Sequence, residues 1–353
     1  MVGSGRLDAP SLSRGRQVAS ALARSWRSPE PPPWEPRRSE LAALQPLLIG
    51  SGAAALAWRR LRLGETGRSP GGFALQQAYR LHAIESLLRE RQLARVLARL
   101  RAAGVEPLLA RGWVAAQAYP EPGLRPYRDF ELFVAVAQRE AAREALRGEE
   151  APVTLAAGCA DLNDRPWQLL ADRAVAVPLG GADVRVFGAE DHVRLLALQM
   201  LRRGAYRALW LCDVAAAIEA AGTRFDWSHF LSGDGRRSEW ATGALLLACA
   251  LLGAEIPAAP PAVAQRSAPQ WLVRTVLREW SVARPGSTVA AGARGPRAAL
   301  RALRERWPSG LEATLGLRAP LNAMPRLPLQ VAACVTRAAR ELRPAAAAAP
   351  RAG

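Results

Sequence analysis

The sequence predicts an α+β fold, a small mixed sheet embedded between N-terminal and C-terminal helical regions. Three observations lead there. Residues 104–134, GVEPLLARGWVAAQAYPEPGLRPYRDFELFV, read as a short apolar strand, a glycine turn, a short helix, a proline-glycine turn and a second strand. Val175–Val177 and Val184–Phe187, on either side of Gly180 and Gly181, read as a hairpin. Apolar residues at helical spacing dominate the chain before and after this region.

Taken in order, residues 1–38 are polar, basic and proline-rich, ending in PEPPPWEP, and predict a disordered arm followed by a stiff proline spacer. Residues 39–103 carry apolar residues at helical spacing and form a helical subdomain, broken by the glycine-rich stretch Gly64–Gly72. The α/β core covers residues 104–188. Within it Val105–Leu109 is expected as a strand, although Pro107 favours an edge or a strand start. Trp113–Tyr119 follows as a helix, and Arg128–Val136 as a strand with Phe130, Leu132, Val134 and Val136 on its buried face. A second helical subdomain, residues 189–256, opens with Glu190 and Asp191 at the positive end of a helix dipole. It continues with packed helices at Leu195–Leu201, Ala208–Ala221 and Trp240–Leu252, and Asp226 caps a short helix between them. PAAPPAVA then marks a boundary. Residues 257–343 form a basic helical region and residues 344–353 a disordered alanine-proline tail.

Composition narrows the classes. Half of the 353 residues are hydrophobic, enough for a sizeable core. The net charge of +17 points toward anionic partners, yet all 48 basic residues are arginine, which suggests that coding bias in a GC-rich genome contributes. From Gln265 onward, 15 arginines face four acids, so this part holds +11 of the +17. There Arg297, Arg301 and Arg304 form a basic stripe opposite Leu300 and Leu303. An ordinary solvated helix face explains the stripe better than a dedicated anion surface, and without interleaved aromatics base stacking has little support. Cys159, Cys212, Cys249 and Cys334 form no paired motif, and His82, His192 and His229 lack metal-ligand spacing. Reduced thiols fit a cytoplasmic protein, and zinc is not expected. No signal peptide is visible, and the longest apolar stretches fall short of the roughly 20 residues that cross a bilayer, so no membrane association is expected.

The chemistry concentrates in the core. A helix opening at Gly112 presents free backbone N–H groups, the absent β-carbon admits a close ligand, and Arg111 adds a forked donor matched to phosphate oxygens. Asp129 and Glu131, at i and i+2, point the same way roughly 6 to 7 Å apart. Hard carboxylate oxygens so placed suit Mg²⁺. An Asp-x-Glu on a strand is ordinarily a solvated face. What favours a site is the ordered sequence of glycine turn, helix and carboxylate strand.

These residues resemble the bacterial nucleotidyltransferase-like family, a branch of the polymerase-β-type nucleotidyltransferase superfamily, with its Lys-Gly, alanine-rich helix, Tyr-Pro, Arg-Pro and Asp-x-Asp. The most specific part runs from Tyr119 to Glu131. Residues 78–104 are similar to the family's helical lead-in, and VRVFGAEDHVRLLAL and RALWLCDVA to the segment after its core, so the resemblance covers roughly residues 40–250. It implies that Gly112 is the phosphate-loop glycine, that Arg111 stands where the family has lysine, and that Asp129 and Glu131 are the first two metal carboxylates, serving catalysis and metal binding alike. Arg125 matches the Arg-Pro arginine, with either a phosphate contact or, slightly favoured, a bracing pair with a nearby carboxylate. Asp213 matches a family acid, for which a structural role is expected over catalysis.

Two departures stand out. Glutamate at 131 moves the carboxylate by roughly 1.5 Å in a site that tolerates little displacement. In the third strand, where the family places an acid and a histidine, VTLA puts Thr154 and Ala156. Asp161 and Asp164 are the nearest acids able to compensate, though both also read as turn residues. The resemblance therefore implies Mg²⁺-dependent transfer of a nucleoside monophosphate from a nucleoside triphosphate to an unknown acceptor, with two metals if the site is active. The alternative is a catalytically impaired binding or scaffold protein, a pseudoenzyme. Nucleic-acid binding through the arginine-rich C-terminal region is the weaker third reading.

Overall fold

A computed structural model describes residues 4–29, 31–283 and 307–341. Five strands form one mixed sheet: β1 (Leu108–Ala110), β2 (Phe130–Val134), β3 (Val153–Ala157), β4 (Val175–Leu179) and β5 (Ala182–Val186), in the order β3-β2-β1-β5-β4. The pairs β1·β2 and β4·β5 are antiparallel, and β1·β5 and β2·β3 are parallel. The hairpin read from its glycine pair is β4–β5, closed by the two residues between Leu179 and Ala182. The α+β architecture with helical flanks is as expected from the sequence.

Strand alternation divides the core. Phe130, Leu132 and Val134 of β2 point to one face, packing with Leu109, Val184 and Val186 against Leu93, Val96, Leu97 and Leu100. Those four come from the C-terminal half of α4 (Pro70–Ala102), a 33-residue helix that starts where the Ser69 hydroxyl accepts from the Gly72 N–H behind Pro70. On the other face Phe133 packs with Leu108, Phe187, Leu195, Leu162 and Cys159. Glu131, two residues before Phe133, shares that second face.

Past the sheet, α8 (Ala189–Arg202), α9 (Ala208–Ala221) and α11 (Gly235–Leu252) build the main helical core, joined by α2 (Arg38–Gly50) and α3 (Ala54–Leu61) from the N-terminal side. Asp226 caps α10 (Trp227–Leu231), its side chain accepting from the His229 N–H at 3.0 Å, as the sequence predicted.

Several expectations need correction. The segment expected as a disordered arm contains α1 (Ser4–Leu22), whose Val18, Ala19, Ala21 and Leu22 are buried; α1 packs on α13 (Gln270–Trp280). Its apolar stripe, Leu12, Val18 and Leu22, was hidden among the exposed Ser13, Arg14, Arg16 and Ser20. The proline spacer is docked: Trp34 is buried, its N–H bonds the Arg60 carbonyl at 2.9 Å, and Arg60 donates to the Pro32 carbonyl. Val136 is 74% exposed, because the chain leaves the sheet after Val134 for a 3₁₀ turn. The first strand lies at Leu108–Ala110, displaced past Pro107, and the helix after it is only α5 (Gly112–Ala116). The tail from 344, like the stripe of Arg297, Arg301 and Arg304, lies outside the described residues. Of the described C-terminal arginines, Arg318 pairs with Asp234, and Arg326 stacks over Trp271 at 4.2 Å. No described helix is long and apolar enough to cross a membrane.

Candidate active-site cleft

The β1–α5 turn and the start of β2 meet at one cleft of about 360 Å³, closed on its far side by α8 and the first turn of α9. Arg111, Gly112, Arg125, Asp129 and Glu131 all line it. Ala110 is in register with Glu131, so the turn that follows Ala110 lies beside the carboxylate strand. Arg111 takes φ +56°, a conformation that disfavours side chains other than glycine. Its backbone N–H is held at 3.3 Å by Nε2 of His192, from the first turn of α8. Burial, reinforced by the Arg125 and Arg111 charges, pushes the His192 pKa down to about 3. The ring is therefore neutral, accepting at Nε2 and carrying its proton on Nδ1. At Gly112, with φ +29°, an added β-carbon would stand 3.1 Å from the Asp129 carbonyl, so the backbone conformation and the close packing of turn on strand both favour glycine.

The two acids differ in state. Asp129 is exposed at the cleft mouth, with the Thr154 hydroxyl 3.4 Å from its Oδ2. Glu131, half-buried, is ion-paired with the Arg111 guanidinium. Burial and then the Arg203 charge pull the Arg111 pKa down to about 9, with Arg125 adding to the fall and Asp129 opposing it; at neutral pH the group stays cationic. Thr154 is in register with Glu131 on β3, so the strand expected to carry the third acid is present and offers a hydroxyl instead. Asp164 is held by Arg194 at 2.5 Å, Arg237 at 3.0 Å and the Asp234 N–H at 2.9 Å, and Asp161 pairs with Arg202. Both are thereby committed to other partners. Among the described residues no three acids, histidines or cysteines come together as a metal cluster.

Arg125 does not reach into the cleft as a free cation. Its guanidinium grips Asp213 of α9, Nη2 to Oδ2 at 2.7 Å and Nε to Oδ1 at 3.1 Å, and the Tyr119 hydroxyl donates to Oδ1 at 2.8 Å. Burial works against the Arg125 charge, but the Asp213 carboxylate outweighs it and raises the Arg125 pKa. Of the two roles open for Arg125, bracing is the one its contacts display. The pair ties the turn of residues 120–126 to α9 and so fixes the wall opposite β2. Gly123 in that turn has φ +84° and sits against Ala83 of α4, where a β-carbon would lie 2.6 Å from the Ala83 nitrogen.

Residues 39–155 and 150–253 match the family described as uncharacterised nucleotidyltransferase, well over half of the chain. The protein belongs to that family. No curated protein and no solved structure matches the chain. The matched residues contain the whole sheet and every wall of the cleft. Sequence reasoning missed four cleft or near-cleft residues of this nucleotidyltransferase-family protein. His192, which the sequence marks only by its lack of metal-ligand spacing, is buried against the Arg111–Gly112 turn. Arg203, Arg207 and Trp210 line the cleft from the α8–α9 connection, about 75 residues from Asp129, and no local spacing links them to it. His82 also lines the cleft, whereas His229 is bound up with Asp191 and Arg165.

Proposed function

We propose that the protein is a divalent-cation-dependent nucleotidyltransferase that moves a nucleoside monophosphate from a nucleoside triphosphate to an acceptor hydroxyl or phosphate. The observation that carries this reading is the placement of Asp129 and Glu131 in one cleft with the Arg111–Gly112 turn. Because α5 has only five residues, its dipole is small, and the attraction for phosphate rests on free backbone N–H groups and arginine side chains. Two carboxylates and a hydroxyl fit one hard cation completed by phosphate oxygens and water. A second would need an acid that the described residues do not bring there. When bound, the cation would neutralise charge on the triphosphate and lower the barrier to displacement at the α-phosphorus.

The residues of the chain divide the remaining work. Asp129 would be the open ligand of a bound cation. Glu131 would be able to join it once a triphosphate drew Arg111 away, so that one arginine exchanged a carboxylate partner for phosphate. His192 holds the turn, and Arg125 with Asp213 holds the opposite wall. The acceptor oxygen bonds to the α-phosphorus, the bond to the β-phosphate oxygen breaks, and pyrophosphate leaves with that electron pair while the acceptor proton passes to solvent.

Titration calorimetry with Mg²⁺ and a non-hydrolysable triphosphate tests the reading: binding is expected in the wild type and lost in Asp129→Ala. Equal binding by both sinks the site. A second reading, a binding or scaffold protein that has lost the chemistry, is favoured by Thr154 in the third-strand position and by the neutralised Glu131. Turnover with labelled triphosphates decides between them. Pyrophosphate release that vanishes in Asp129→Ala excludes the scaffold.

A further inference from the structure

Many described arginines are held by acids, Arg27 by Glu219, Arg59 by Glu121, Arg101 by Glu106, Arg165 by Asp191, and Arg194 and Arg237 by Asp164, and others, such as Arg60 and Arg326, by backbone carbonyls. Two cleft arginines are placed differently. Arg203 ends α8 and Arg207 opens α9, and each lies over the Trp210 ring at 5.7 Å from its centroid. Neither has an acidic partner among the described residues, and Tyr206 packs edge-on against the same indole. Two like charges held at one indole repel each other, and the cation–π attraction of each offsets this only in part. Of the surrounding charges Arg203 acts most strongly on Arg111, and all three arginines line the same cleft. That field is relieved when an anion with several charges enters.

We infer that Arg203 and Arg207, braced on Trp210, are the polyphosphate-binding arm of the cleft and grip the β- and γ-phosphates that depart as pyrophosphate. This deepens the proposed function and rests on it for the nucleotide as ligand. Trp210 is a positioning residue: the indole spreads the two forks toward the cleft and does not itself touch phosphate. Recognition through the phosphate chain makes affinity climb with the number of phosphates, because each arginine adds a charge-assisted contact that a monophosphate cannot reach.

The test uses the full chain, with inorganic tripolyphosphate, pyrophosphate and a nucleoside monophosphate as calorimetric probes, with and without Mg²⁺. In the wild type tripolyphosphate binds tightest and the monophosphate weakest. Arg203→Gln and Arg207→Gln each weaken tripolyphosphate on the order of tenfold or more and leave the monophosphate nearly unchanged, with thermal melting unaltered. Trp210→Leu reproduces the loss, while Trp210→Phe restores most of it, which a general packing defect would not do. Unchanged tripolyphosphate affinity in both arginine variants overturns the inference while leaving the nucleotidyltransferase reading intact. Tripolyphosphate binding that depends on the arginines but is indifferent to Mg²⁺ and to Asp129→Ala supports the arm and sinks that reading. A wild type that binds no polyphosphate overturns both.

Discussion

Replacing Asp213 by alanine would leave the Arg125 guanidinium buried with its carboxylate gone. The Asp213 side chain is fully enclosed and that of Arg125 is 9% exposed, so little water reaches the contacts that would be lost. Three donors lose their acceptor together, Arg125 Nε, Arg125 Nη2 and the Tyr119 hydroxyl; only the Nη1 bond to the Pro126 carbonyl at 3.0 Å survives. Removing one partner of a buried pair costs about 3–5 kcal/mol, a large share of the roughly 5–15 kcal/mol that stabilises a typical domain. Urea unfolding of Asp213→Ala is therefore expected to show an unfolding free energy lowered by that amount, with a correspondingly earlier midpoint. Tyr119→Phe, which removes one donor, should cost only about 1 kcal/mol. The paired change Arg125→Met with Asp213→Leu removes both charges and should recover most of the loss. If Asp213→Ala costs less than about 1 kcal/mol, the carboxylate is not the counterion that fixes this wall. The bracing role of Arg125 is then refuted, and a phosphate contact becomes the better account.

The other predictions are simpler. The folded-state pKa of His192, about 3, lies far below the ordinary 6.5, so the unfolded chain binds an extra proton between those values and stability falls as pH drops. By pH 5 this one group contributes a loss of roughly 2 kcal/mol, and His192→Gln, which keeps an acceptor for the Arg111 N–H, should flatten the stability profile between pH 6.5 and 5. Arg111→Gln frees Glu131, so calorimetry should show Mn²⁺ binding more tightly in the absence of nucleotide while triphosphate binds about tenfold or more weakly. Gly112→Ala must accommodate φ +29° and a contact with the Asp129 carbonyl; a stability loss of about 1–2 kcal/mol and weakened metal binding, by urea unfolding and calorimetry, are expected.

Much of the sheet was legible because its signals are local. The glycine pair between two valine-rich runs specifies the β4–β5 hairpin, and the alternation of Phe130, Leu132 and Val134 specifies which face of β2 is buried. The same alternation placed Asp129 and Glu131 together on the other side. Boundaries were less legible: β1 begins past Pro107, and Val136 continues the alternating pattern although the backbone has already turned away. The N-terminal helix was missed for a different reason. Its stripe is small and interrupted by serine and arginine, and it becomes apolar enough to hold only when the face of α13, more than 240 residues later, is laid against it.

By itself the sequence determined the β4–β5 hairpin, the buried face of β2 and the carboxylate pair on the opposite face, since side-chain periodicity and backbone conformational limits act over a few residues. Only the tertiary structure decided which charges neutralise one another. Glu131 meets Arg111 across adjacent strands, Arg125 meets Asp213 across 88 positions, and Arg203 and Arg207 are left to share an indole instead of an acid. Electrostatic energy depends on separation in space and on how much water remains between the charges. Neither quantity is written in the order of residues along the chain.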